Sequence, residues 1–158
     1  MDGIAVSFGT DDKGTFMTVA LREWRWGKLP VYNGFVHAER VRGWQLVWWL
    51  VDTGRLPYPR ICCITGSSYR VGYHSENYYG WAPYPLAQPV HFALHQRFTR
   101  PLAWTSIVSQ HATTGGEWFA RLSLEPTDVA RELRLSFGAE VAQLFVTAPF
   151  PLPRSDNV

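Results

Sequence analysis

The sequence predicts an α+β fold, and three observations carry that expectation. Short segments near the N-terminus alternate in the period-two manner of strands. Residues 39–53 place apolar side chains at three- and four-residue spacing, as a helix does. Residues 60–100 then run through apolar stretches, turn residues and a short helical pattern, which reads as strand, turn, strand, loop and helix. The expected architecture is a central ββα unit, with N-terminal strands and a helix before it and helical additions after it. A length of 158 residues fits a single domain, 1–158, with 60–100 as its centre.

In order along the chain, residues 3–8 and 15–21 read as two strands. Phe16, Thr18 and Ala20 alternate with Met17, Val19 and Leu21, and a polar turn spans Gly9 to Gly14. An aromatic, irregular segment follows, with Trp24, Trp26, Tyr32 and Phe35. The helix at 39–53 has the stripe Val41, Trp44, Val47, Trp48 and Val51, and Gly54 is placed to cap it. Leu56-Pro57-Tyr58-Pro59 cannot be helical. Ile61–Ile64 reads as a short strand, Thr65–Ser68 as a turn, and Tyr69–Tyr73 as a returning strand that ends at His74. A loop then covers Ser75–Pro85, and Pro89–Phe98 reads as a helix with proline in its first turn. Helices are also expected at 101–111, broken by Gly115-Gly116, and at 127–137, with Thr127 as N-cap and Gly138 after it. Val141–Thr147 reads as a final strand, and the tail 153–158 as frayed.

The composition excludes a disordered or strongly basic chain. Hydrophobic residues make up 46% and aromatic residues 15%, including eight Trp, and the net charge is +2. Of the cations only Lys13 and Lys28 are lysine, and the remainder are arginine, the better residue for bidentate phosphate contact. The only cysteines, Cys62 and Cys63, are adjacent and cannot form an unstrained disulfide, which fits a reducing compartment. Both are expected to be buried structural residues. The N-terminus shows no signal peptide, and no apolar run is long enough for a membrane span. The expectation is a cytoplasmic protein with no membrane partner. A phosphate-binding loop, a dinucleotide fingerprint and a nucleophile elbow are all missing from the sequence.

Three histidines concentrate in the central unit. His91 and His95 are four residues apart, so a helix puts them on one face where both can reach one ion. His74 lies at a predicted strand end, two residues before Glu76. The bland alternative, polar residues on a half-buried helix, stays open for the pair.

The segments Val71-Gly72-Tyr73-His74-Ser75-Glu76-Asn77-Tyr78 and Pro85–Phe98, with His91 and His95, resemble the HNH endonuclease family over about a quarter of the chain. The resemblance implies a ββα-metal unit with a histidine at the end of its second strand as general base and a helix histidine as metal ligand. On these residues it implies His74 as the base, His91 as a ligand, and His95 or Glu76 as further ligands. Cys62 and Gly66 match the first cysteine and the glycine of the family's zinc knuckle. The other knuckle positions are Thr65, Ala87 and Val90, so no structural zinc is expected. Tyr73 stands where the family often has a further ligand, its middle asparagine falls near Ala82, and Asn77 lies too close to His74 to match it.

The implied chemistry is phosphodiester hydrolysis assisted by a divalent metal, Mg or Mn, with Arg70, Arg97 and Arg100 gripping phosphates of a nucleic acid, DNA first. The competing reading is a catalytically inactive interaction protein, such as a phage or mobile-element accessory factor, that binds another protein through an aromatic surface. Trp24, Trp26, Trp48, Trp49, Trp81, Trp104 and Trp118 are not all readily placed in one core, and an aromatic-rich core stays open as the alternative. Some of them are candidates for a base-stacking platform or a partner surface. A third reading is an unrelated domain with incidental histidines.

Overall fold

The structure, a computed structural model, describes residues 5–10, 16–80, 83–111 and 118–147, with backbone alone at 5–10, 16–18 and 118. Trp81, Ala82, most of the 9–14 turn, Gly115-Gly116 and the tail lie outside the described residues, as does the side chain of Trp118. The fold is α+β, as the sequence predicts. Two antiparallel two-stranded ribbons are joined to five helices, and the chain groups into two compact units.

The first unit comprises Met1–Tyr58, Asn77–Trp81 and Asp128–Val158. Strands β1 (Ala5–Thr10) and β2 (Phe16–Ala20) pair in it, with Ala5 opposite Ala20. Helix α1 (His37–Asp52) follows. Its Glu39 carboxylate accepts the Val36 N–H at 2.8 Å, which serves one of the orphan donors of the first turn. At the other end Gly54 takes φ +71° and donates to the Val51 carbonyl at 3.0 Å, the left-handed cap that glycine permits. The buried face differs from the predicted stripe. It runs through Glu39, Arg40, Arg42, Gly43, Leu46, Val47 and Trp49, so Val47 of the predicted stripe is buried while Val41, Trp44, Trp48 and Val51 are only partly covered. Gly43 sets this rotation, because a Cβ there would lie 2.8 Å from Tyr78 Cδ1.

Helix α4 (Val129–Phe137) is capped by Asp128, whose Oδ1 accepts the Arg131 N–H at 2.9 Å, one residue beyond the predicted Thr127. Residues 140–147 overturn their predicted strand and form helix α5 (Glu140–Thr147). Phe145 is buried, and Val141 and Ala142 pack with it against Phe35, Leu46, Tyr79, Ala130 and Leu133. That is i, i+1, i+4 spacing, a helical face that strand alternation cannot produce. A buried carboxylate holds the segments of this unit together. Glu39 Oε1 accepts from the Tyr79 hydroxyl and, at 2.8 Å, from Arg134 Nη2. Burial first, then the bond to Glu39, raises the Tyr79 hydroxyl pKa.

The second unit comprises Pro59–Glu76 and Ala82–Thr127. Ile61–Ile64 is not a strand. Cys62 N–H donates to Ser67 O at 2.8 Å and Gly66 N–H to Cys62 O at 2.9 Å, so the apolar run closes into a turn with Gly66 at φ +71°. Strand β3 (Val71–His74) instead pairs with β4 (Tyr84–Ala87), which begins within the predicted loop 75–85 and runs two residues past it, with His74 opposite Tyr84. His74 therefore ends the first strand of the ribbon rather than the second. Pro85 is tolerated because both strands of a two-stranded ribbon are edges. Helix α2 (Gln88–His95) starts directly after β4 with Pro89 in its first turn, and α3 (Pro101–Gln110) and a 3-10 turn (Trp118–Arg121) complete the unit. Trp104 of α3 is buried, and its ring lies 6.5 Å from that of Phe119.

Phe145 is 1% exposed and Leu144 is 58% exposed. Phe145→Ala should therefore cost about 3–5 kcal/mol in chemical denaturation. Leu144→Ala should cost under about 0.5 kcal/mol. Equal losses at the two positions would contradict the helical packing of α5.

Candidate metal centre

Three short elements bring the three histidines together. His74 is fixed at the end of β3 by the ribbon register, and α2 turns back immediately after β4. One helical turn separates His91 from His95, so both project from the same face of α2. His74 Nδ1 lies 3.1 Å from His91 Nε2, and His91 Nε2 lies 3.0 Å from His95 Nε2. One nitrogen from each ring falls within a common 4.8 Å, and the three residues are the group among the described ones that can hold a metal ion. His74 is 1% exposed, and the other two are partly exposed, so the cluster is buried on the β3 side and open on the helix side.

The opposite edge of His74 decides its tautomer. His74 Nε2 is 2.7 Å from Glu76 Oε1. An ionised carboxylate only accepts, so beside one Nε2 carries the proton, and in the neutral imidazole Nδ1 then keeps its lone pair on the side of His91 and His95. A ligating imidazole is ordinarily held in this way, by a carboxylate on its second nitrogen. Glu76 is thus placed behind His74 and is not one of the converging ligand atoms.

Glu76 is itself held by Arg97. Arg97 Nη2 donates to Glu76 Oε2 at 3.2 Å, Nε to Ser123 O at 2.8 Å and Nη1 to Leu94 O at 3.1 Å. Its guanidinium lies 4.2 Å from the centre of the Phe98 ring, and the residue is 1% exposed. Arg97 is therefore a buried tie and does not face a phosphate, which corrects the expectation for it. Burial of so long a cation is tolerated because backbone carbonyls and a carboxylate take up its donors. Arg70 and Arg100 are exposed. Arg70 takes φ +44° and donates to Gln88 Oε1 at 3.3 Å, and Arg100 precedes α3 as its N-cap residue.

The cysteines divide. Cys62 is buried and Cys63 is exposed, against the expectation that both are buried. Burial opposes ionisation of Cys62, yet bonds from the Thr65 side chain and from the backbone at Ala87, Thr65 and Ile64 outweigh it and lower the thiol pKa. The turn thus wraps the Cys62 sulfur and sets it beside Ala87 at the β4–α2 junction. Asn77 is used locally, its Oδ1 accepting the Tyr79 N–H at 2.9 Å.

Three imidazole nitrogens with a buttressed tautomer fit a divalent ion that accepts nitrogen donors. Glu76→Gln keeps the shape and removes the carboxylate. It should lower metal affinity about 10- to 100-fold, read by calorimetric titration. An unchanged affinity would show that Glu76 does not hold His74 for an ion.

Comparison of the chain with protein-family models, with curated proteins and with solved structures finds no match.

Proposed function

We propose that the second unit is a metal-dependent phosphodiesterase centre acting on nucleic acid, with His74, His91 and His95 as the metal ligands. The observation that carries this reading is the convergence of three ring nitrogens whose innermost member is backed by Glu76. Kinship with the HNH endonucleases rests on a histidine at a strand end that faces a helix with two more, while His74 ends the first strand of the ribbon and not the second as in that family. Exposed Arg70 and Arg100 supply cations for phosphates.

The donor set moves two expectations. Magnesium and manganese take mostly oxygen ligands, whereas three imidazoles suit zinc, nickel, cobalt or copper. His74 acts as a ligand rather than as the general base, since one of its nitrogens faces the other imidazoles and the second is bonded to Glu76. A divalent ion held there supplies charge stabilisation at a phosphate oxygen. The residues around it have separable tasks. Glu76 fixes the His74 ring, Arg97 fixes Glu76, and His91 and His95 close the ligand set from α2.

Loss of a ligand and loss of a base are distinguishable. His74→Ala should lower bound metal, measured by elemental analysis after loading and desalting, together with cleavage of labelled DNA or RNA. Full metal occupancy with cleavage reduced by about 100- to 10,000-fold would return His74 to the role of base. Absence of cleavage of single- or double-stranded DNA and RNA with zinc, nickel, magnesium or manganese would overturn the hydrolytic reading.

Kinship has its own test in the turn around Cys62. Thr65→Cys, Ala87→Cys and Val90→Cys together complete four thiolates at the positions that match a zinc knuckle. The combined variant should hold one more zinc per chain than the parent protein, in tetrahedral sulfur coordination by X-ray absorption. No additional zinc would count against the kinship.

A further inference from the structure

We infer that Trp24, Trp26 and Trp44 form a stacking platform for the bases of single-stranded nucleic acid. The platform lies in the first unit and stands independently of the metal centre. The three rings meet edge to face, with centroids 4.8 Å apart for Trp24–Trp26, 5.3 Å for Trp24–Trp44 and 5.4 Å for Trp26–Trp44. None of them belongs to the buried cluster of this unit, and Trp26 is 63% exposed. Single exposed apolar residues are ordinary, but three clustered tryptophans at a surface form a patch that calls for a partner.

The platform is held in place before any ligand arrives. Trp24 Nε1 donates to Gly27 O at 3.1 Å, and the Leu29 N–H donates to His37 Nδ1 at 3.0 Å, which ties the 24–29 segment to the first turn of α1. Rings fixed in this way lose little freedom when a base stacks on them. Trp48, one turn beyond Trp44, already has the Arg22 guanidinium over its face at 4.1 Å, and Arg22 is bonded to Asp52 at 2.8 and 2.6 Å. That face of Trp48 is occupied; Trp24, whose ring also lies 6.4 Å from that of His37, and Trp44 are partly exposed, and Trp26 is the open ring of the cluster.

Charge selects the partner. Residues 22–28 carry three cations, of which Arg22 is paired with Asp52 and Arg25 with Glu23 at 3.3 Å, so Lys28 supplies the net positive charge beside the rings. Arg25 and Lys28 are exposed on either side of Trp26. Flat apolar rings interleaved with cations match a chain of planar bases joined by phosphates, and stacking tolerates any base sequence. A proline-rich peptide would use the aromatic rings and leave the cations without a function.

The test is a titration of the full chain, in EDTA to prevent metal-dependent cleavage, with a fluorescein-labelled oligothymidylate of about 15 nucleotides. Tryptophan fluorescence should be quenched on binding, and affinity for the single strand should exceed that for a duplex of the same length. Trp26→Ala should weaken binding about 10- to 100-fold, and Trp26→Phe should restore much of it. Lys28→Ala should reduce the salt slope by about one ion. Binding that is unchanged in Trp26→Ala overturns the inference. So does a duplex bound as well as the single strand, or capture of a proline-rich peptide with no oligonucleotide binding. Because EDTA removes any ion from His74, His91 and His95, this result and a failure of the metal centre are read separately.

Discussion

The geometry of the candidate site depends on one carboxylate shared between two partners. Glu76 is hydrogen-bonded to His74 Nε2 through Oε1 and accepts from the Arg97 guanidinium through Oε2. Without Glu76 the His74 ring would lose its bond at Nε2 and buried Arg97 its carboxylate partner. Arg97 extends the tie to the Ser123 and Leu94 carbonyls, so the last turn of α2, the end of β3 and the segment after the 3-10 turn are fixed by one chain of charge-assisted bonds. Burial gives that chain its strength, since the low dielectric that makes an unpaired charge costly also strengthens a satisfied one.

The same device holds the first unit. Glu39 is buried in α1 and gathers the Val36 N–H, the Tyr79 hydroxyl and Arg134 from three stretches of sequence. Each unit thus has a carboxylate with an arginine on it, buried at Glu39 and 20% exposed at Glu76. A short apolar face such as that of α5 then has fixed surroundings to pack against. Arg42 of α1 is buried in the same unit. It donates to the Phe145 carbonyl at 3.1 Å, burial lowers its pKa, and its Nη2 has no partner among the described residues.

The histidines were legible because their signal is local. Two residues four apart on a helix, and a third at a strand end, carry their placement in the spacing. Glu76 was visible beside His74, but as a ligand, because sequence cannot say which side of a ring a neighbour approaches. Arg97 was misread for a related reason: an arginine next to a histidine helix looks like surface until its burial is known. The errors in secondary structure have the same origin. Val141–Thr147 is apolar and β-branched at both ends, so propensity favours a strand, yet packing of Phe145 and Ala142 against one cluster makes it a helix. Ile61–Ile64 reads as a strand for its apolar side chains, whereas Gly66 and the bonds from Cys62 close it into a turn. Pro85 conceals β4, since proline argues against a strand everywhere except at an edge. On α1, periodicity located the helix and the buried Val47 but not the rest of the buried face, where Gly43 leaves room for Tyr78.

The central claim is that His74, His91 and His95 bind one ion through the nitrogens that converge here. A crystal structure of the zinc-loaded protein, with data collected on both sides of the zinc absorption edge, tests it most directly. The account predicts a single anomalous peak at about 2.0–2.1 Å from His74 Nδ1, His91 Nε2 and His95 Nε2, with Glu76 still on His74 Nε2. A peak elsewhere, or no peak at the three imidazoles under saturating zinc, would contradict it.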